Sequence, residues 1–182
     1  MSSFLSESEL AEIGFKKLGT NVFISRKASF YGANKISIGS NVRIDDFCIL
    51  SGEITLGNQI HISAYSAIYG AMGVVMEDYT GLSPRCTIFS AMDDFFGDYL
   101  ISPMVDCKFT NVTGGLVTIK RYSQIGASTT IFPKLTIGEG VAVGAMSLVN
   151  KDLLDWRIYK GIPAKFMKDR SRGLLKFVDT NL

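Results

Sequence analysis

Cysteine, histidine and net charge are all scarce in this sequence, and each shortage closes off a class of protein. The three cysteines, Cys48, Cys86 and Cys107, lie far apart with no CxxC spacing. That excludes a disulfide framework or a zinc knuckle and fits a reducing compartment, the cytoplasm. His61 is the single histidine in 182 residues. The 19 basic side chains nearly balance the 17 acidic ones, for a formal net charge of +2. With no basic stripe interleaved with aromatics, nucleic acid is not an expected partner. No apolar run approaches the roughly 20 residues of a spanning helix, so membrane insertion is not expected either. The opening segment, MSSFLSESELAEIGFKKLG, lacks the basic start and apolar core of a signal peptide. What remains is a chain 47% hydrophobic and 20% charged, too apolar for disorder and of a length that suits one domain.

What the sequence does have is a period of six. From Ile38 the step runs through Ile44, Leu50, Leu56, Ile62 and Ile68. A two-residue slip at Gly70–Gly73 resets it to Met76, Leu82 and Ile88. After a break it resumes at Ile119, Ile125, Ile131, Ile137, Val143 and Val149. The positions two residues earlier, among them Ile36, Val42, Cys48, Ile54, Ser66, Cys86 and Thr129, are never charged. Residues i and i−2 of a strand point the same way, so each hexad offers two inward side chains on one short strand. A helix is excluded, because a step of six does not keep apolar residues on one side of a 3.6-residue turn. Glycine often follows the inward residue (Gly39, Gly57, Gly126, Gly138, Gly144) and is expected to ease the turn into the next strand.

This pattern resembles the hexapeptide-repeat acyltransferase superfamily, over about residues 20–152 and on through a tail to about Arg170. The segments HISAYSAIYG, IGASTTIFPKLTIGEGVAVGAMSLVNKDL and IYKGIPAKFMKDR are similar to the sugar O-acetyltransferases and related polysaccharide-biosynthesis enzymes. The resemblance implies an all-β fold, a left-handed parallel β-helix shaped as a triangular prism. It implies a homotrimer, an active groove between neighbouring prisms, and acetyl-CoA as co-substrate lying along that groove. The expected organisation is an N-terminal helical segment at 1–20, with Ser6 and Glu9 as a capping box, and the β-helix at 21–152. A loop at 90–116 is ejected from the coil and expected to reach toward a neighbouring subunit. A CoA-bordering segment and tail follow at 153–182. No metal is expected: carbonic anhydrases of the same fold need three histidines on zinc, and this chain has one.

Placing the chemistry starts from one face of the prism, with Ile44, Ile62, Leu82, Ile125 and Val143 pointing inward. Residues three beyond these make a column at one corner: Phe47, Tyr65, Arg85, Ser128 and Met146. That column is the expected groove, with Tyr65, Arg85 and Ser128 as substrate contacts. The family's general-base histidine sits in a segment like Ile125-Gly126-Ala127-Ser128, so Ser128 stands in its place, and Arg85 stands where several relatives have asparagine. The base is then His61, pointed outward between Ile60 and Ile62, or the loop carboxylates Asp93 and Asp94; an amine acceptor would need none. The ordinary alternatives are a surface histidine and a solvated loop turn. By the same resemblance, amides around Gly126-Ala127 and Gly144-Ala145 receive the pantetheine arm and the oxyanion. Lys160, Pro163, Ala164 and Lys165 of the KGIPAK segment border the CoA phosphates. The leading expectation is O-acetylation of a sugar or glycan-precursor hydroxyl. N-acetylation of an amino-sugar nucleotide, or a non-catalytic trimeric scaffold, are the alternatives.

Overall fold

Strands such as Val42–Ile44 and Ile60–Ile62 alternate buried, exposed, buried, as a period of two on a one-sided core requires. All fifteen side chains of the six-residue step are at most 4% exposed, and their fifteen partners two residues earlier at most 8%. Fully burying one such aliphatic side chain contributes about 1.5–3 kcal/mol, so the repeat is itself the core. In this computed structural model, which describes residues 3–178, the result is a left-handed, three-sided β-helix of about seven turns. The buried hydroxyls that replace aliphatics are all satisfied on backbone carbonyls, for example Ser123 on Gly138 at 2.7 Å and Ser147 on Gly144 at 2.7 Å.

Register shows how the coil absorbs its interruptions. Ile44 pairs with Ile62, 18 positions on, which is three hexads to a coil. Ile62 pairs with Leu82 across the two-residue slip, and Leu82 pairs with Ile125 across the loop. Ile125 then pairs with Val143, again 18 positions on. The phase therefore survives the loop, and the first face is one eight-stranded sheet. The second and third faces are continuous, because the strands Ile49–Leu56 and Ala67–Met76 bend round the corner between them. The loop leaves the prism through a narrow neck, Ala91–Met92 paired antiparallel with Thr113–Gly114.

Two expectations shift. Stacked strands begin earlier than residue 21, with Lys17–Leu18 on Ile36–Ile38, and continue past 152 to Arg157–Lys160 on Ala142–Val143. The helix of the N-terminal segment is only Glu7–Glu12, closed by the Ser6–Glu9 capping box and buried through Leu10. At the C-terminal end Lys165–Asp169 folds back as a hairpin on Arg157–Lys160, and a 3₁₀ turn follows at Gly173–Phe177. The rest of the expected tail, 179–182, and residues 1–2 lie outside the described residues. Among the described residues no helix is long and apolar enough to cross a membrane.

The glycines that follow the inward positions do not ease the turn. Apart from Gly140, the left-handed residues at the two corners of the first face are non-glycine, among them Asn41, Phe47, Gln59 and Tyr65, whereas Gly126 and its counterparts keep ordinary backbone angles. Gly126 is there because the next coil lies too close: a Cβ would stand 2.6 Å from Ala145 N and from Val143 O.

Candidate active site

The five column residues fall on one corner, where the first face turns into the second, and each is left-handed, with φ between 54° and 63°. Backbone bonds tie successive corners together: Tyr65 N–H to Asp46 O, Arg85 to Ala64, Ser128 to Pro84, Met146 to Ala127. Among the described residues, the N–H groups of Ala127 and Ala145 donate to nothing.

The C-terminal hairpin completes this edge. Lys160 lies one coil beyond Gly144, its Cβ 3.0 Å from where a Gly144 Cβ would be, and Gly144 N–H donates to Tyr159 O. Leu148 N–H donates to Gly161 O at 3.0 Å, and Ala164 N–H donates to Leu148 O at 2.7 Å. A cavity of about 300 Å³ opens there between Ser128, Met146, Leu148 and Ile162. Thus Gly126, Ala127, Gly144, Ala145 and Ser128 stand on one edge with Lys160 and Lys165, which face each other across the hairpin. Ala164 is 98% buried, so its side chain serves the core and only its neighbours face the groove. Pro163 sits in the turn between the two lysines.

The candidate bases lie apart from one another. His61 is on the first face, its side chain half exposed, with Nε2 2.8 Å from Asp45 Oδ2. Asp45 also accepts from Arg43 Nε at 2.7 Å; burial works to raise its pKa, but these two partners outweigh burial and hold it low. Asp94 is engaged within its own loop. Its carboxylate accepts from the amides of Phe96, Gly97, Asp98 and Tyr99, which organises the loop and lowers its pKa. Asp93 is different: it is exposed, and among the described residues its carboxylate has no partner. It borders a cavity of about 770 Å³, walled mainly by Phe89, Met92, Phe95, Phe96 and Phe132. Cys48 and Cys86 are buried, burial pushing the Cys48 thiol up to about 11, so neither is a nucleophile. Among the described residues no His, Cys, Asp and Glu group is placed to hold a metal.

One polar side chain at this corner escaped the sequence reading. Ser83 follows inward Leu82 directly, and its Oγ accepts from Gln124 Nε2 of the next coil at 3.2 Å. No motif flags it; only the stacking of Gln124 on the Gly81–Leu82 strand reveals it.

An edge of unspent amides beside a cationic hairpin suits a substrate that pairs an acyl carbonyl with phosphates. No protein-family model matches the chain. A dTDP-4-amino-4,6-dideoxy-D-glucose acyltransferase of Escherichia coli is 43% identical over 177 residues, 96% of this chain and 92% of that protein. The structure of a serine-to-threonine mutant of AntD, an N-acyltransferase from Bacillus cereus, in complex with dTDP and coenzyme A superposes with a TM-score of 0.96. It is 48% identical and covers 99% of this chain and 97% of its own. A hexapeptide-repeat acetyltransferase of Vibrio cholerae, 18% identical with a TM-score of 0.58, shares the fold over 92% of this chain and 82% of its own. The chain belongs to the hexapeptide-repeat acyltransferases of the left-handed β-helix type.

Proposed function

We propose that this enzyme is an N-acyltransferase that moves an acyl group from acyl-CoA to the amine of a dTDP-linked 4-amino-4,6-dideoxy sugar. The observation that carries this is similarity over nearly the whole chain to an N-acyltransferase bound to dTDP and coenzyme A. Acyl transfer to a sugar is the broader statement, supported also by the Escherichia coli relative. The narrower choice of nitrogen over oxygen replaces the leading sequence expectation. Its chemical support is the missing base: a neutral amine attacks a thioester without prior deprotonation, whereas a hydroxyl needs a proton acceptor.

In the reaction the amine nitrogen bonds to the thioester carbon, the C–S bond breaks, and the proton lost from nitrogen is balanced by protonation of the departing thiolate. In this reading the undonated N–H groups of Ala127 and Ala145 bind pantetheine and the oxyanion. Lys160 and Lys165 meet the CoA phosphates. Structures of AntD include variants at a serine and at an aspartate ten positions apart, and Ser83 and Asp93 are ten apart here. We assign these two to the amino group of the acceptor. Ser83 stands before the second face and Asp93 after it, so they meet only if the arm of one chain reaches the corner of another. A homotrimer supplies that meeting. His61, held by Asp45, is then a surface side chain of the first face. We place the enzyme in the cytoplasm.

The test offers the purified enzyme dTDP-4-amino-4,6-dideoxyglucose or dTDP-glucose with acetyl-CoA and with 3-hydroxybutyryl-CoA, read by mass spectrometry and thiol release. An amide on the amino sugar and no ester on dTDP-glucose is the expected result. Comparable acylation of the hydroxyl acceptor would return the enzyme to the O-acetyltransferases.

A further inference from the structure

The N-terminal half of the same corner carries a surface that CoA does not account for. Phe47 and Tyr65, on successive coils, stack with ring centroids 5.0 Å apart and planes inclined by 21°. They remain 45% and 56% exposed. The Arg85 guanidinium lies over Tyr65, 5.7 Å from its centroid, and Lys27 lies over Phe47 at 5.1 Å. Lys27 is engaged by Asp46 at 3.0 Å. Among the described residues Arg85 has no carboxylate or carbonyl partner. The nearby acids do not oppose an anion there: Asp46 is held by Ser25 and Lys27, and Asp45 by Arg43 and His61.

Folding alone does not call for these side chains. Phe47, Tyr65 and Arg85 sit at φ of 59°, 63° and 62°, a conformation that disfavours residues with a Cβ. At the neighbouring corner of the same early coils the equivalent positions are Asn41 and Gln59. Asparagine tolerates that conformation far better than an aromatic. An aromatic pair held in a strained corner with half its surface in water points to a ligand.

The order of the groups identifies the ligand. Successive corners rise by about 4.8 Å, so the three steps from Ser128 through Arg85 and Tyr65 to Phe47 span about 14 Å. A free guanidinium comes first from the acyl-transfer end, then two stacked rings. A nucleoside diphosphate sugar has that sequence of parts and roughly that reach: reacting sugar, diphosphate, nucleoside. We propose that Arg85 binds the diphosphate and the Tyr65–Phe47 stack receives the pyrimidine base of the acceptor. This deepens the nucleotide-sugar reading above and rests on it. Guanidinium suits the diphosphate because its planar fork donates two parallel hydrogen bonds, and an aromatic face accepts a base without needing hydrogen-bond complementarity.

The experiment measures binding of dTDP alone by calorimetry, with steady-state kinetics and native mass, for wild type, Tyr65→Leu, Phe47→Leu, Arg85→Gln and Arg85→Lys. Tyr65→Leu and Arg85→Gln should each weaken dTDP binding about tenfold. They should raise the KM of the dTDP-linked amino sugar by the same factor and leave the KM for acyl-CoA and the native mass unchanged. Arg85→Lys should recover part of the loss. If wild type acylates the amino sugar but all variants bind dTDP as it does, the subsite is wrong while the acceptor reading stands. If the free amino glycoside is turned over as efficiently as the dTDP-linked one, the result is the same. Variants that change native mass and lose CoA as well would make the stack a subunit contact. A wild type that binds no dTDP at all would overturn both readings together.

Discussion

The two corners that flank the first face share one backbone solution and are finished in opposite ways. The corner entering that face carries Asn21, Asn41, Gln59, Tyr79, Tyr122, Gly140 and Trp156, all left-handed. Its groups are used up on one another. Asn21 Nδ2 donates to Asn41 Oδ1 at 2.7 Å, Tyr79 stacks on Tyr122 at 5.6 Å, and Tyr122 lies 6.2 Å from Trp156. Arg170 then donates to the carbonyls of Tyr122, Gly140 and Val141, and Arg172 covers Trp156. The corner leaving the face has the same turns but, among the described residues, keeps undonated amides at Ala127 and Ala145 and, over the Tyr65 ring, an Arg85 guanidinium with no carboxylate or carbonyl partner. Where the fold leaves donors and rings unspent is where a ligand has most to bind; at the stapled corner a cavity of about 240 Å³ opens beside Tyr79, Tyr122 and Arg170, but Arg170 is already engaged by three carbonyls and the two rings by each other.

The sharpest way to break this contrast is to cut the staple. Arg170→Ala removes a charged donor from three carbonyls; among the described residues those of Tyr122 and Gly140 are left without a partner, while Val141 O keeps the Gln124 N–H, and hydrogen bonds from charged groups are worth about 1.5–3 kcal/mol. Equilibrium urea unfolding should show a loss of about 2 kcal/mol, with kcat and both KM values of the folded enzyme unchanged. A variant of native stability, or one with altered kinetics, would mean that the two corners are not functionally distinct.

The converse experiment acts on the open edge. Lys160→Ala combined with Lys165→Ala removes two cations that the hairpin presents beside the groove and that no carboxylate engages among the described residues. The KM for acyl-CoA should rise about tenfold, which is about 1.4 kcal/mol of binding, while the KM for the acceptor and the melting temperature stay put. An unchanged KM would move the CoA phosphates elsewhere.

How much of this was legible beforehand follows from what is local. The inward residues and the corner column depend only on a step of six, so Ile44, Ile62, Phe47 and Tyr65 could be placed from sequence. The role of Gly126 could not, because the sequence says that a side chain is absent but not that the next coil stands 2.6 Å from the missing atom. Asp93 and Asp94 are chemically identical neighbours. Only the loop's path decides that Asp94 turns in to collect four amides while Asp93 stays free. Ser83 was missed for a related reason: its partner Gln124 is 41 residues away, across the ejected arm. The missing histidine at Ser128 is visible in the sequence, but there it is as compatible with a non-catalytic scaffold as with an amine acceptor, and family likeness points to oxygen.

Acid should separate the corners by the smallest effect of the three, and its sign is fixed by the carboxylates. The folded pKa is depressed at Asp45, despite opposing burial, by Arg43 and His61, and at Asp46 by Ser25 and Lys27. It is depressed at Asp94 by the loop amides, and at Glu9 to about 2 by Arg26 and Ser6. A carboxylate whose folded pKa lies below its unfolded value, about 4 for these groups, stabilises the fold above that value. It gives up that stabilisation as pH falls through the folded pKa. All four belong to the first coils, the open corner and the arm. The stapled corner is held by Arg170, carbonyls and rings, which do not titrate in this range. The melting temperature should therefore be flat from neutral pH to about 5 and fall from about 4 toward 2. Amide exchange at pH 3 should open the arm and the segment around Asp45 and Asp46 before the turns at Tyr122 and Gly140. Glu9→Gln should lower the melting temperature slightly at neutral pH and make the acid fall shallower. Equal loss of protection at both corners would show that the carboxylates stabilise the prism as a whole rather than its open edge.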